Sequence, residues 1–110
     1  MSFPTITDVS AVREALEANT FVVIDFMADW CGPCKAIGPK MSALAESYAA
    51  IKFIKVDVDK IDMSFIQSEN VSSMPTIKFY KSGKCMEHRT VIGPNFNKVQ
   101  TNVQELHESL

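Results

Sequence analysis

The seven-residue run from Phe21 to Met27, Phe-Val-Val-Ile-Asp-Phe-Met, restricts the fold of this chain more than any other segment. It is rich in β-branched and aromatic side chains, and apolar residues occupy both of its alternating faces. Such a run is typical of a strand that is covered on both sides. The sequence therefore predicts an α/β fold in which this strand is central, and Asp25 is its one charged residue.

Four other segments carry the spacing of amphipathic helices. A residue suited to capping, Asp8 or Asn95, precedes the first and the last of them, and Asn19 can end the first. Pro39 removes one backbone hydrogen bond inside the second and is expected to kink it. The apolar positions are Val9, Val12 and Leu16; then Ile37, Met41, Leu44, Ala45 and Tyr48; a weaker stretch over 59–69; and Phe96, Val99, Val103, Leu106 and Leu110.

Further strands are predicted over 52–58, 76–81 and 84–92, and Ser82-Gly83 is a hairpin signal between the last two. Residues 3–6 are a candidate edge strand. Strand–helix–strand order requires parallel pairing through right-handed crossovers, and the hairpin adds antiparallel strands. We therefore expect a single domain over 1–110, with a mixed central sheet of about five strands flanked by four helices.

Composition narrows the classes of function. The chain has 110 residues, a net charge of -2 and 46% hydrophobic residues, an ordinary globular balance. It shows no basic patch, so neither nucleic acid nor a membrane surface is expected as a partner. The start of the sequence lacks a basic region followed by an apolar run, so no secretory signal is expected and a cytoplasmic location is the default.

The sequence has three cysteines, Cys31, Cys34 and Cys85. This low, odd number argues against a disulfide scaffold. Cys31 and Cys34 bracket Gly32-Pro33 at a predicted helix start, where backbone N–H groups and the helix dipole favour a thiolate. We expect Cys31 to be partly exposed and to attack a disulfide of a partner. Cys34 would then resolve the mixed disulfide, with Pro33 stiffening the ring.

The segment Trp30-Cys31-Gly32-Pro33-Cys34-Lys35 resembles the active site of the thioredoxin family. The resemblance extends over nearly the whole chain, through Val22-Val-Ile-Asp-Phe26, Pro39, Met74-Pro75-Thr76, Gly83 and Gly93. It implies the thioredoxin fold and a general protein-disulfide reductase without a bound cofactor, whose electrons are carried by the Cys31–Cys34 disulfide. It also implies recycling by an NADPH-dependent thioredoxin reductase, and clients such as peroxiredoxins, ribonucleotide reductase and methionine sulfoxide reductase.

The resemblance assigns Asp25 to the buried acid that lies beneath the second cysteine. Desolvation in an apolar strand raises the pKa of a carboxyl group, which suits it to accept the proton of Cys34, directly or through one water. Lys55 matches the lysine beside this acid, and its charge would lower the same pKa. Both are therefore expected to act with Cys31 and Cys34 in catalysis.

A substrate groove around Cys31 follows from the same resemblance. Trp30, Met74, Ile92 and Gly93 match its apolar lining, and the backbone of Met74 would pair with an extended stretch of the partner. Pro75 matches the cis-proline that faces the cysteines. Together with Trp30, Gly32 and Pro33, it would position the motif.

Three residues depart from the commonest pattern of the family. Met27 stands where many members carry an aromatic residue, which softens the packing behind the site. Pro94 removes one backbone donor from the rim of the groove. Cys85 lies outside the motif and is either an incidental thiol or a regulatory one that forms mixed disulfides.

Three alternatives remain open from the sequence. Cys85-Met86-Glu87-His88 could complete a zinc site with Cys31 and Cys34, although the gap between the two halves is long. Within the redox class, an oxidising or isomerising catalyst would need a less stable disulfide. A third possibility is a binding module whose partner needs the surface of the chain and not its thiols.

Overall fold

A computed structural model describes residues 3–110 and places the run Phe21–Met27 inside a mixed sheet. Within residues 3–110 there are four α-helices and six strands, in the order that the sequence patterns predicted in outline. In chain order the elements are β1 Thr5–Ile6, α1 Val9–Ala18, β2 Phe21–Met27, α2 Gly32–Ser47, β3 Lys52–Asp57, α3 Met63–Ser68, β4 Thr76–Lys81, β5 Lys84–Cys85, a 3₁₀ turn Glu87–Arg89, β6 Val91–Ile92 and α4 Phe96–Glu108.

The sheet has the strand order β1-β3-β2-β4-β5, with β6 also paired to β4. β1, β3 and β2 run parallel, whereas β4 lies antiparallel to β2 and to both β5 and β6. The candidate edge strand over 3–6 is confirmed as β1. β2 is thus hydrogen-bonded along both of its edges, which makes it a central strand.

The prediction of one strand over 84–92 is wrong. Tyr80 pairs with Cys85, but Ile77, three residues earlier in β4, pairs with Val91 instead of with residue 88. The register thus shifts by three residues between β5 and β6. The three residues of the 3₁₀ turn Glu87–Arg89 account for this shift, and they do not pair with β4. The turn therefore divides the predicted strand into β5 and β6.

Side chains of β2 pack on both faces of the sheet, as its apolar run predicted. Phe21 and Val23 lie in a core cluster with buried residues of α2 and α4. Val22, Ile24 and Phe26 lie in a second cluster with buried residues of α1 and α3. Among residues 3–110, no helix combines the length and the apolar composition needed to cross a bilayer.

The helix ends follow the local capping signals. Asp8 and Asn95 cap α1 and α4, the latter accepting a hydrogen bond from the Lys98 N–H at 3.2 Å. Asp62 caps α3, so this helix is shorter than the stretch predicted over 59–69. Leu110 lies beyond the end of α4 and is exposed, which corrects its assignment to the apolar stripe.

The cap of α4 can be tested with Asn95→Ala. This change removes the acceptor for the Lys98 N–H, and we expect the free energy of unfolding in urea to fall by about 1 kcal/mol. Asn97→Ala is the matched control, because Asn97 is an exposed residue inside the same helix. Equal losses in the two variants would contradict a capping role for Asn95.

Candidate active site

The cysteine pair lies where the chain leaves β2 and enters α2. Cys31 is the N-cap of α2, and its sulfur accepts a hydrogen bond from the Cys34 N–H at 3.1 Å. The two cysteines form a disulfide with their Cα atoms 5.3 Å apart. Pro33 occupies the first helical turn, where backbone N–H groups have no carbonyl partner within the helix. Its lack of an N–H therefore costs no helical hydrogen bond. The helix start therefore directs an N–H group at the sulfur of Cys31, the geometry that stabilises a thiolate.

The expectation that Cys31 is partly exposed is wrong for this disulfide form. Cys31 is 3% exposed and lies in the second core cluster together with Cys34 and Ala28. The cause is its position as N-cap, in which the sulfur is turned back toward the first helical turn. The next two residues, Gly32 and Pro33, are exposed.

Trp30 borders the disulfide and is 67% exposed. Its indole Nε1–H donates to Asp59 Oδ2 at 2.8 Å. The sequence analysis did not single out Asp59, although a signal existed. Trp30 and Asp59 follow the carboxyl ends of the parallel neighbours β2 and β3, and such ends meet at one edge of a sheet.

Asp25 and Lys55 are paired across β2 and β3. Because these strands are parallel and in register at this pair, both side chains stand on the same face of the sheet. Asp25 is buried, and among residues 3–110 its Oδ1 atom has no hydrogen-bond partner. Burial raises the pKa of Asp25 to about 6, and the positive charge of Lys55 opposes this rise.

A cavity of about 180 Å³ joins these groups to the resolving cysteine. Asp25, Lys55 and Cys34 all contribute to its wall, and a space of this size can hold several water molecules. Met27 also lines it. The remaining lining residues are Ala28, Asp29, Lys35 and Gly38.

Of the other predicted groove residues, Met74 lies on the loop before β4, and Ile92 and Gly93 lie at the end of β6 and just after it. The Met74–Pro75 bond is cis, as the resemblance implied. The Gly93 N–H donates to the Pro75 carbonyl at 2.8 Å, so these two segments are directly joined. Ile92 is 70% exposed, and Gly93 has φ of 92°, a conformation that favours glycine. The apolar side chain of Ile92 is thus held at the surface, largely uncovered by the residues that the structure describes.

Cys85 lies apart from this arrangement, on the short strand β5. Burial and a hydrogen bond with Glu87 raise the pKa of its thiol to about 11. The reactive thiolate is therefore disfavoured at neutral pH, which weakens the regulatory interpretation of this cysteine.

The zinc alternative fails on the position of its ligands. Within the part of the chain that the structure describes, no three His, Cys, Asp or Glu side chains lie close enough together to hold a metal ion. Cys85 and His88 therefore do not form a ligand set with the active-site cysteines.

Comparisons with known proteins agree with this geometry. The family model Thioredoxin matches residues 4–105. Thioredoxin Asp f 28 of Aspergillus fumigatus is 42% identical over 99 residues, which are 90% of this chain and 83% of that protein. A solved structure of Plasmodium falciparum thioredoxin is 34% identical with a TM-score of 0.86, covering 93% of this chain and 97% of that one.

A further similar structure comes from a study of the thiol resolving mechanism in yeast mitochondrial 1-Cys peroxiredoxin via glutathione/thioredoxin systems. It is 30% identical with a TM-score of 0.86, covering 94% of this chain and 95% of that one. The family model runs from the residue before β1 into α4 and includes the cysteine pair, and the solved structures confirm the predicted fold. The chain belongs to the thioredoxin family, and its Cys31–Cys34 pair makes it a protein-disulfide oxidoreductase.

Proposed function

We propose that this protein is a general reductase of protein disulfides in the cytoplasm, regenerated by an NADPH-dependent thioredoxin reductase. The observation that carries the proposal is the sulfur of Cys31 at the start of α2, with the Cys34 N–H directed at it. The small number of cysteines accords with a reducing compartment. In such a role the protein would pass electrons to several clients and contribute to the redox balance of the cell.

The first step is nucleophilic attack by the Cys31 thiolate on one sulfur of a client disulfide. A bond forms between Cys31 Sγ and that sulfur, the client disulfide breaks, and the second client sulfur leaves as a thiolate. The Cys34 N–H at Cys31 Sγ and the positive end of the α2 dipole favour the thiolate form of Cys31 over the thiol.

The second step releases the reduced client. Cys34 gives its proton to the Asp25 carboxylate across the cavity that both line. The Cys34 thiolate then attacks Cys31 Sγ, so the internal disulfide forms and the bound client sulfur leaves as a thiolate. With its pKa near 6, Asp25 is mostly ionised at pH 7 and still basic enough to accept a proton.

Client binding would use the segments that frame the disulfide. An extended stretch of the client can pair with the backbone at Met74 and lie against Trp30 and the rim Ile92-Gly93. Disulfide-containing enzymes such as peroxiredoxins, ribonucleotide reductase and methionine sulfoxide reductase are proposed clients. The peroxiredoxin study of a similar structure supports the first of these.

Reduction of insulin disulfides, driven by NADPH and a thioredoxin reductase, tests the assigned roles. We expect Cys31→Ser to abolish turnover, because the attacking thiolate is lost. Cys34→Ser should stop after the first step and accumulate a mixed disulfide, visible by non-reducing electrophoresis. Cys85→Ser is the matched control and should retain full activity. Turnover by Cys31→Ser would refute the assignment.

Stability against pH tests the burial of Asp25. The pKa of Asp25 is about 6 in the folded protein, against an ordinary value of 3.8. Between these two pH values the folded state binds more protons than the unfolded state, so the folded protein loses stability as the pH rises through this range. Asp25→Asn does not lose this stability, because an amide does not ionise. With the disulfide intact, its advantage over wild type should appear between about pH 4 and 6, and approach about 3 kcal/mol above pH 6.

The same variant tests proton transfer. Asp25→Asn should slow the decay of the mixed disulfide by up to about 100-fold at neutral pH, measured by stopped flow. Asp29→Asn, an exposed carboxylate on the same cavity, is the control for both measurements. A rate of resolution equal to that of wild type across pH 6–9 would exclude Asp25 as the proton acceptor.

Lys55→Met tests the electrostatic coupling across β2 and β3. Removing this positive charge should raise the pKa of Asp25 above about 6, since Lys55 now lowers it. The measurement is a ¹³C-carboxyl NMR titration of Asp25. Lys52→Met is the control, because Lys52 lies on the opposite face of the same strand, and it should leave the pKa of Asp25 unchanged. An unchanged midpoint in Lys55→Met would contradict the coupling.

A further inference from the structure

Asn102 is a polar residue on the buried face of α4. Its neighbours on that face are Val99, Val103 and Leu106, and it is itself only 9% exposed. A buried amide costs free energy unless its hydrogen bonds are made. An apolar residue would continue the stripe, so the contacts of Asn102 should explain why an amide is present.

Both ends of this amide bind Arg89, the last residue of the 3₁₀ turn. Asn102 Oδ1 accepts a hydrogen bond from Arg89 Nη1 at 2.8 Å, and Asn102 Nδ2 donates to the Arg89 carbonyl at 2.9 Å. Arg89 Nη1 also donates to the exposed Glu105 Oε1 at 2.7 Å. The reciprocal pair, called the Asn102–Arg89 clamp below, ties the turn to α4 through both side chain and backbone.

The clamp acts at the 3₁₀ turn, which is held to β4 by an ion pair between Glu87 and Lys78 but not by ladder hydrogen bonds. The 3₁₀ turn Glu87–Arg89 absorbs the three-residue register shift, and it is there that the ladder with β4 is interrupted. Three residues after Arg89 comes Ile92, whose exposed side chain gains little from packing. The short strand β6 is therefore positioned by β4 on one side and by the clamp at its entry.

We propose that Asn102, acting through Arg89, is a positioning residue for the client-binding rim Ile92-Gly93. The inference rests on the proposed function, in which an extended client stretch lies along Met74 and this rim. With the clamp in place, the rim is pre-organised before a client arrives, and binding need not order it. The two hydrogen bonds of the clamp join Asn102 and Arg89, neither of which is a residue of the cysteine motif, so the thiol chemistry at Cys31 is left untouched.

Steady-state kinetics of Asn102→Leu test the clamp, with insulin as the client and thioredoxin reductase saturating. We expect KM for insulin to rise about fivefold, the equivalent of about one net hydrogen bond, with kcat unchanged. The rate constant for reduction of the Cys31–Cys34 disulfide by dithiothreitol, which needs no groove, should also stay unchanged. Glu105→Gln weakens only the exposed contact to Arg89 and should keep the wild-type KM.

Other results separate the possibilities. An unchanged KM in Asn102→Leu overturns the inference, and so does a parallel fall of kcat, dithiothreitol rate and thermal stability, which would mark a purely structural role. If Asn102→Leu does not fold, Arg89→Met must show the same rise in KM or the inference fails. Wild-type protein that does not reduce insulin would refute the proposed function and the clamp together, whereas an active wild type with an unchanged variant refutes the clamp alone.

Discussion

Burial of β2 on both edges and both faces is the constraint on which the active site depends. β2 is paired to β3 and β4 and packed into two core clusters, so its carboxyl end is rigidly placed. The chain passes from that end into α2, and the first turn of the helix fixes the sulfur of Cys31. A rigid strand followed by a helix start thus provides both the position and the electrostatic field that a nucleophilic thiolate needs.

The same burial prepares the proton acceptor. Desolvation alone would keep the Asp25 carboxyl group protonated at higher pH, and the positive charge of Lys55 limits this effect. Asp25 and Cys34 line one cavity, so in the reduced protein a charge on either group acts on the other. Met27, also in the wall of this cavity, leaves it bordered by a flexible side chain.

Patterns that depend on local sequence predicted much of the fold. The caps Asp8 and Asn95, the buried strand Phe21–Met27 and the four helices were all readable, because each depends on neighbours a few residues away. The break in the strand predicted over 84–92 was not, since it arises from the register against β4. The burial of Cys31 was also missed, because it depends on how its side chain packs at the start of α2.

The sequence by itself determined the chemistry of this protein: two thiols at a helix start, and one acid in an apolar strand six residues earlier. These depend on residue type and spacing, which are local properties. Only the tertiary structure decided which distant groups join them. Lys55 meets Asp25 through strand register, Asp59 meets Trp30 at the carboxyl ends of β2 and β3, and Asn102 meets Arg89 because α4 packs beside the 3₁₀ turn. Such pairings form when separate elements pack against each other, so they cannot be deduced from the spacing of residues in the sequence.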